Sequence, residues 1–103
     1  MQNYSIILTP HAEQDVNEIN HYITCILHNV SAANKLLNKF EHKLKLLTNT
    51  PEMCPIVIFD GNKIQYRKCI VDNYIAFYFI NDKNKEIIVE RIIYASRDFA
   101  KLL

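Results

Sequence analysis

The stretch Lys63 to Tyr94, KIQYRKCIVDNYIAFYFINDKNKEIIVERIIY, contains three strand-like runs separated by two short polar breaks. Lys63 to Val71 alternates imperfectly between polar and apolar residues. Tyr74 to Ile80 is nearly all apolar, the pattern of a central strand covered on both faces. Glu86 to Tyr94 is a long run rich in β-branched residues, which favour extended backbone. The breaks at Asp72-Asn73 and at Asn81-Asp82-Lys83-Asn84 are short enough for hairpins, so the three strands form an antiparallel meander.

Toward the N-terminus, Asp60-Gly61-Asn62 is a turn signal that closes a proline-punctuated connection over residues 51–62. Before it, Ala33, Leu36, Leu37, Phe40, Leu44 and Leu47 form one apolar helical stripe, with Ser31 as the expected N-cap. Lys35, Lys39 and Lys43 repeat every four residues on another face of that helix. Earlier still, Ala12, Val16, Ile19, Ile23 and Ile26 mark a first amphipathic helix. Thr9 is its expected cap and Pro10 its first residue. Tyr4 to Thr9 reads as a strand. Beyond Tyr94, Ser96 suits the cap of a short C-terminal helix or turn. The order β-α-α-β-β-β predicts an α+β fold of two layers: the N-terminal strand joins the meander in one sheet, and the helical hairpin covers one face. A chain of 103 residues accommodates this as a single domain over 1–103.

Composition narrows the function. The single Gly excludes a glycine-rich phosphate loop or a nucleophile elbow. A net charge of +1 is not that of an overtly basic nucleic-acid binder, but the charge is uneven. Residues 1–60 carry four lysines against six acids, while residues 61–103 carry eight cations, including all three arginines, against five acids. Three cysteines without a secretory signal fit a reduced, cytoplasmic thiol set, and no apolar run is long enough to span a membrane. His21 and His28 lie seven apart, about 10 Å along a helix, which does not suit one metal ion. No metal and no cofactor are expected.

The arginines hold the most chemical interest. Arg67 and Lys68 interrupt an apolar strand. Strict alternation would put Arg91 on the face of Ile87, Val89 and Ile93. A cation in that setting must reach a carboxylate, a carbonyl or a ligand. Two readings stay open. Arg67 and Arg91 either pair internally and hold the sheet together, or they form an anion-facing or protein-facing surface with Lys68, Arg97, Tyr66 and Tyr94.

Three segments then recur in a familiar order: Tyr4-Ser-Ile-Ile-Leu-Thr-Pro-His-Ala-Glu-Gln-Asp15; Tyr66-Arg-Lys-Cys-Ile-Val-Asp-Asn-Tyr-Ile-Ala-Phe-Tyr78; and Val89-Glu-Arg-Ile-Ile-Tyr-Ala-Ser-Arg-Asp98. With them the chain resembles the RelE/ParE-type toxins over nearly its whole length. The resemblance implies a cytoplasmic toxin of a type II toxin–antitoxin module, of the kind tied to plasmid stabilisation. It would arrest growth when free of a small antitoxin protein. RelE-like members cut mRNA in the ribosomal A site without a metal, whereas ParE-like members bind and block DNA gyrase. Many of the nucleases have an Arg directly after the Tyr that opens the central strand. Here Tyr74 is followed by Ile75, which cannot hold a phosphate. That departure and the near-neutral charge favour the ParE-like mechanism or a modified nuclease, with the ParE-like reading slightly preferred. Were the chain a nuclease, the resemblance would implicate Arg67, Lys68, Arg91, Tyr94 and Arg97. For target or antitoxin binding it points to Arg67, Arg91, Arg97, Asp98, Phe99 and Leu102. Homo-oligomerisation stays open.

Overall fold

The computed structural model describes residues 3–57 and 64–95. The expected turn at Asp60-Gly61-Asn62, the C-terminal helix or turn from Ser96, and Arg97, Asp98, Phe99 and Leu102 lie outside them. The elements are β1 (Ser5–Leu8), α1 (Pro10–His21), a π-helical turn (Tyr22–Ile26), α2 (Val30–Leu47), β2 (Ile56–Val57), β3 (Tyr66–Val71), β4 (Tyr74–Asn81) and β5 (Glu86–Tyr94). The order is the one expected, and the short strand β2 makes the sheet five-stranded. No helix among the described residues is long and apolar enough to cross a membrane.

The α1 start follows from local chemistry. The Ala12 amide donates to Thr9 Oγ1 (3.1 Å), and Pro10 occupies a position where its missing N–H costs nothing. At the other end the first helix does not run regularly to Ile26. Residues Tyr22–Ile26 take i→i+5 spacing, with the Leu27 amide donating to the Tyr22 carbonyl (3.0 Å). The wider turn rotates the chain less per residue, so Ile26 leaves the core line and is 57% exposed, whereas Ile23 stays buried. His28 then adopts a left-handed conformation (φ 51°), which ends the helix and turns the chain toward α2. The cap of α2 is Asn29, whose side-chain oxygen accepts from the Ala32 amide (3.0 Å), and not Ser31. Ala33, Leu36, Phe40 and Leu47 are buried along the expected stripe.

The strand order is β1-β5-β4-β3-β2. β1 runs parallel to β5, and every other pair is antiparallel. Alternation in β4 divides the core in two. Ala76 and Tyr78 join the helices in the main cluster, together with Cys69, Val71, Ile87, Val89 and Ile92. Ile75 and Phe77 pack with Ile93 and Val57 on the opposite face of the sheet. A β-bulge interrupts the β4–β5 ladder: Phe77 pairs with Arg91 and Tyr78 with Val89. The extra residue shifts the alternation, so Val89 and Ile92 share the helical face while Ile93 lies on the other. Ile93 is therefore not a face-mate of Ile87 and Val89, as strict alternation expected.

These assignments set a test of the capping and packing. Asn29→Ala should lower stability by about 1 kcal/mol while Ser31→Ala stays within about 0.5 kcal/mol. Leu47→Ala, at a fully buried position, should cost about 3 kcal/mol. Urea unfolding of the three variants reads all of these values.

Candidate functional site

The strand cations separate by register. Arg67 on β3 pairs with Tyr78, on the helical face. Its Nη1 donates to the Cys54 carbonyl (2.7 Å) and to the Glu52 carbonyl (3.3 Å). The Tyr78 hydroxyl donates to the Pro51 carbonyl (2.7 Å) from a fully buried position. Burial raises the Tyr78 pKa, so the phenol stays protonated and remains a donor. Together these two side chains fasten the connector that follows α2 to the sheet.

Arg91 lies at the bulge, across from Phe77. Its Nε donates to Asp15 Oδ2 (2.8 Å) and its Nη2 to Asp15 Oδ1 (3.0 Å), a two-pronged contact. Asp15 Oδ2 also accepts the Ile92 amide (2.9 Å). Both side chains are largely shielded, at 15% and 9% exposure. The hydrogen bond to Asp15 raises the Arg91 pKa further above its ordinary value, against the opposing effect of burial. In the sequence Asp15 reads only as an acid near a helix N-terminus. The signal that it is something more is its place on the line of Ala12 and Ile19, the buried side of α1, where an unpaired carboxylate would be costly.

Lys68 is half-buried on β3 and, like Arg91, stands in register with Phe77, so both strand positions belong to the face away from the helices, while the Arg91 guanidinium reaches back to Asp15 on α1. Tyr94 is exposed and meets Tyr74 edge-on, with centroids 5.6 Å apart, and Tyr74 in turn tilts against Phe40 at 6.2 Å. Burial pushes the Tyr74 hydroxyl upward, with Tyr94 and Tyr22 adding to the shift. Tyr66 is buried against Phe79 (5.8 Å, edge-on). The structure thus brings Lys68 and Arg91 to one face and sets Arg67 on the other. Ile75, in the position after Tyr74, is buried in the second cluster.

Three surface features leave no clear signal in the sequence. A groove of about 410 Å³ between α2 and β3 is lined by Lys39, His42, Lys43, Ile70 and Asp72, with Lys39 already paired to Asp72 (3.1 Å). An apolar cleft of about 210 Å³ opens between the helices over Val16, Ile19, Phe40, Leu44 and Ile92. At the tip of the hairpin, Tyr22, Ile26, Leu27 and Val30 are each more than half exposed. Among the described residues, no three His, Cys, Asp or Glu side chains gather as a metal site.

The Asp15–Arg91 contact can be measured directly. Asp15→Asn should destabilise the fold by about 3 kcal/mol, because it removes a charged partner from a shielded guanidinium. Arg91→Met should recover part of that loss in the double variant, giving a coupling of about 2 kcal/mol in a double-mutant cycle read by urea unfolding. Additive losses would mean that the contact carries no energy of its own.

Comparison with known proteins places this arrangement. The family described as the ParE toxin of the type II toxin–antitoxin system parDE matches residues 6–99. No curated protein matches the chain in sequence. Among solved structures, the chromosomal ParDE toxin–antitoxin system from P. aeruginosa is similar at 20% identity and a TM-score of 0.68, covering 90% of this chain and 97% of that one. The RelBE2 toxin–antitoxin complex from Mycobacterium tuberculosis is similar at 15% identity and a TM-score of 0.60, covering 93% and 97%. The archaeal RelE–RelB complex from Pyrococcus horikoshii OT3 is similar at 15% identity and a TM-score of 0.59, covering 93% and 99%. At these identities the structural likeness is one of fold. The family match spans nearly the whole chain, from β1 past the end of β5, and on that ground the chain belongs to the ParE toxin family of type II toxin–antitoxin systems.

Proposed function

We propose that this toxin arrests growth in the cytoplasm by binding DNA gyrase as a ParE-like inhibitor, and that a cognate antitoxin protein neutralises it by covering its exposed apolar surface. The observation that carries this reading is the commitment of the two strand arginines. Arg67 holds backbone carbonyls on one face of the sheet, and Arg91 holds Asp15 from a bulge on the other. A phosphate cradled by both would require one of them to abandon shielded partners and cross the sheet. Ile75 fills a buried cluster where many nucleases of the wider family carry a cation. The exposed hairpin tip supports a protein target instead, since clustered exposed apolar side chains mark interaction surfaces. The similar solved structures are toxin–antitoxin complexes, which supports an antitoxin partner.

A second reading rests on Lys68 and Arg91 sharing one face, with Tyr94 at the end of β5. In a RelE-like ribosome-dependent nuclease these would steady the scissile phosphate, joined by Arg97, and Tyr94 would stack on a base or move a proton. Metal ions have no part in that chemistry.

The two readings separate on induction of the chain alone. Growth arrest with intact mRNA by primer extension, together with inhibition of gyrase supercoiling by the purified protein, is the expected outcome. Codon-phased cuts in translated mRNA, lost in Lys68→Ala, would establish the nuclease instead. Absence of arrest would indicate a degenerate toxin that only binds its antitoxin. The double variant Ile26→Ser with Leu27→Ser should keep its stability within about 1 kcal/mol, since both side chains are exposed. Its inhibition of gyrase should fall by about tenfold or more, the loss of one or two apolar anchors at an interface.

A further inference from the structure

Cys54 and Cys69 lie 15 positions apart in the chain and next to each other in the fold. β2 and β3 pair with Ile56 opposite Arg67 and Val57 opposite Tyr66. The Lys68 amide donates to the Pro55 carbonyl (3.0 Å), which carries the same register one step beyond β2. Continued one further step, the same register would bring Cys54 opposite Cys69. Hydrogen-bonded and non-hydrogen-bonded pairs alternate along an antiparallel ladder, so this pair follows the bonded Pro55–Lys68 pair as a non-hydrogen-bonded one. Such pairs hold their Cα atoms about 4.5 Å apart, within the range that a disulfide spans. Cys54 is also close enough to contribute to the upward shift of the Cys69 thiol. Both belong to the main core cluster, with Cys54 slightly open to solvent and Cys69 fully closed. Around them the connector is already held, by Arg67 on the Cys54 carbonyl and by Tyr78 on the Pro51 carbonyl. A bond between the sulfurs therefore needs little displacement of either strand.

We propose that Cys54 and Cys69 form a redox-modifiable pair, which a small hydroperoxide converts into a disulfide within one chain. Cys54, the less buried residue of the two, meets the oxidant first. Its thiolate attacks the peroxide O–O bond, forming a sulfenic acid and releasing hydroxide, which leaves as water. Cys69 then attacks Cys54 Sγ, the S–S bond forms, and the displaced hydroxide takes the Cys69 proton and leaves as a second water. Two thiols lose two hydrogens and two electrons, and one hydrogen peroxide becomes two waters. Burial and the neighbouring Cys54 push the Cys69 thiol up to about 12, so it stays protonated at neutral pH until it attacks. Its complete burial also keeps Cys69 from being the first sulfur oxidised. The product closes a ring from residue 54 to residue 69 and ties the segment after α2 covalently to β3.

The Cys25→Ser protein is suited to the test, because Cys25 is exposed and its removal leaves only the buried pair. After hydrogen peroxide, the chain is unfolded in the presence of iodoacetamide and analysed by mass spectrometry. The expected result is a monomer lighter by two hydrogens, with neither cysteine alkylated and a single cross-linked species joining the peptides of Cys54 and Cys69. Dithiothreitol should restore two alkylatable thiols, and the oxidised form should melt about 12 °C higher, the effect of closing a ring of this length. Alkylation of both cysteines, separate oxygen adducts on each sulfur, or a link found only between two chains would overturn the proposal.

Discussion

The carboxylate of Asp15 holds together three parts of the chain that would otherwise lack a common anchor. β1 has four residues and β5 has nine, so β1 cannot satisfy the whole outer edge of β5. Its last ladder contacts are taken over by the start of the first helix. The Thr9 amide donates to the Val89 carbonyl (3.1 Å), and the Thr9 hydroxyl donates to the Glu90 carbonyl (2.8 Å) while it caps α1. Nearly two turns later Asp15 accepts the Ile92 amide. The helix thus completes a sheet edge that a longer strand would have covered, and the edge is closed to unwanted pairing. A carboxylate placed there is tolerable only with a counter-charge, and the bulge in β5 supplies Arg91 from the adjacent position. Edge, helix and bulge are one arrangement.

The same arrangement explains how far the sequence could be read. The central strand, the helical stripe of α2 and the Thr9–Pro10 start were legible because each depends on local periodicity or local capping. The π-helical turn was not, since Tyr22 to Ile26 has no residue that forbids an ordinary helix. What selects the wider turn is packing of Ile23 and the reversal at His28. Nor was the bulge legible: Glu90-Arg91 satisfies simple alternation equally well, and only the pairing with β4 shows the extra residue. That one residue decides the face of Arg91 relative to Arg67, and with it most of the candidate site. Asp15 was visible as an acid but not as a partner, because the two residues are 76 apart in sequence.

Arginine in a sheet can be either a ligand-binding group or a structural cation, and the distinction lies in what its donors already hold. Arg67 spans two carbonyls of a connector that contains two prolines and has little regular secondary structure, Pro51 to Pro55. Without it those carbonyls would need water or another donor. Arg91 is matched to a carboxylate in the fork geometry that suits guanidinium best. Lys68 differs from both: it is a single flexible charge at a strand position in register with Phe77, and its amine is easily redirected to an incoming group. Chemistry that draws the arginines away would have to offset the hydrogen bonds they give up, whereas binding through the hairpin tip leaves those bonds in place.

This reasoning also bears on how one fold serves unrelated targets. A sheet with a helical hairpin on one side offers a basic strand face and an apolar hairpin tip, and either can become the working surface. Which surface works depends on whether the strand cations are needed internally. In this chain the short β1 creates the demand for Asp15, Asp15 creates the demand for Arg91, and the connector after α2 engages Arg67. Each of those needs arises from the length of a strand or the irregularity of a loop, before any target is present. A toxin built in this way has less freedom to evolve a phosphate-binding sheet than to alter exposed side chains at Tyr22, Ile26, Leu27 and Val30, where substitution costs the fold little.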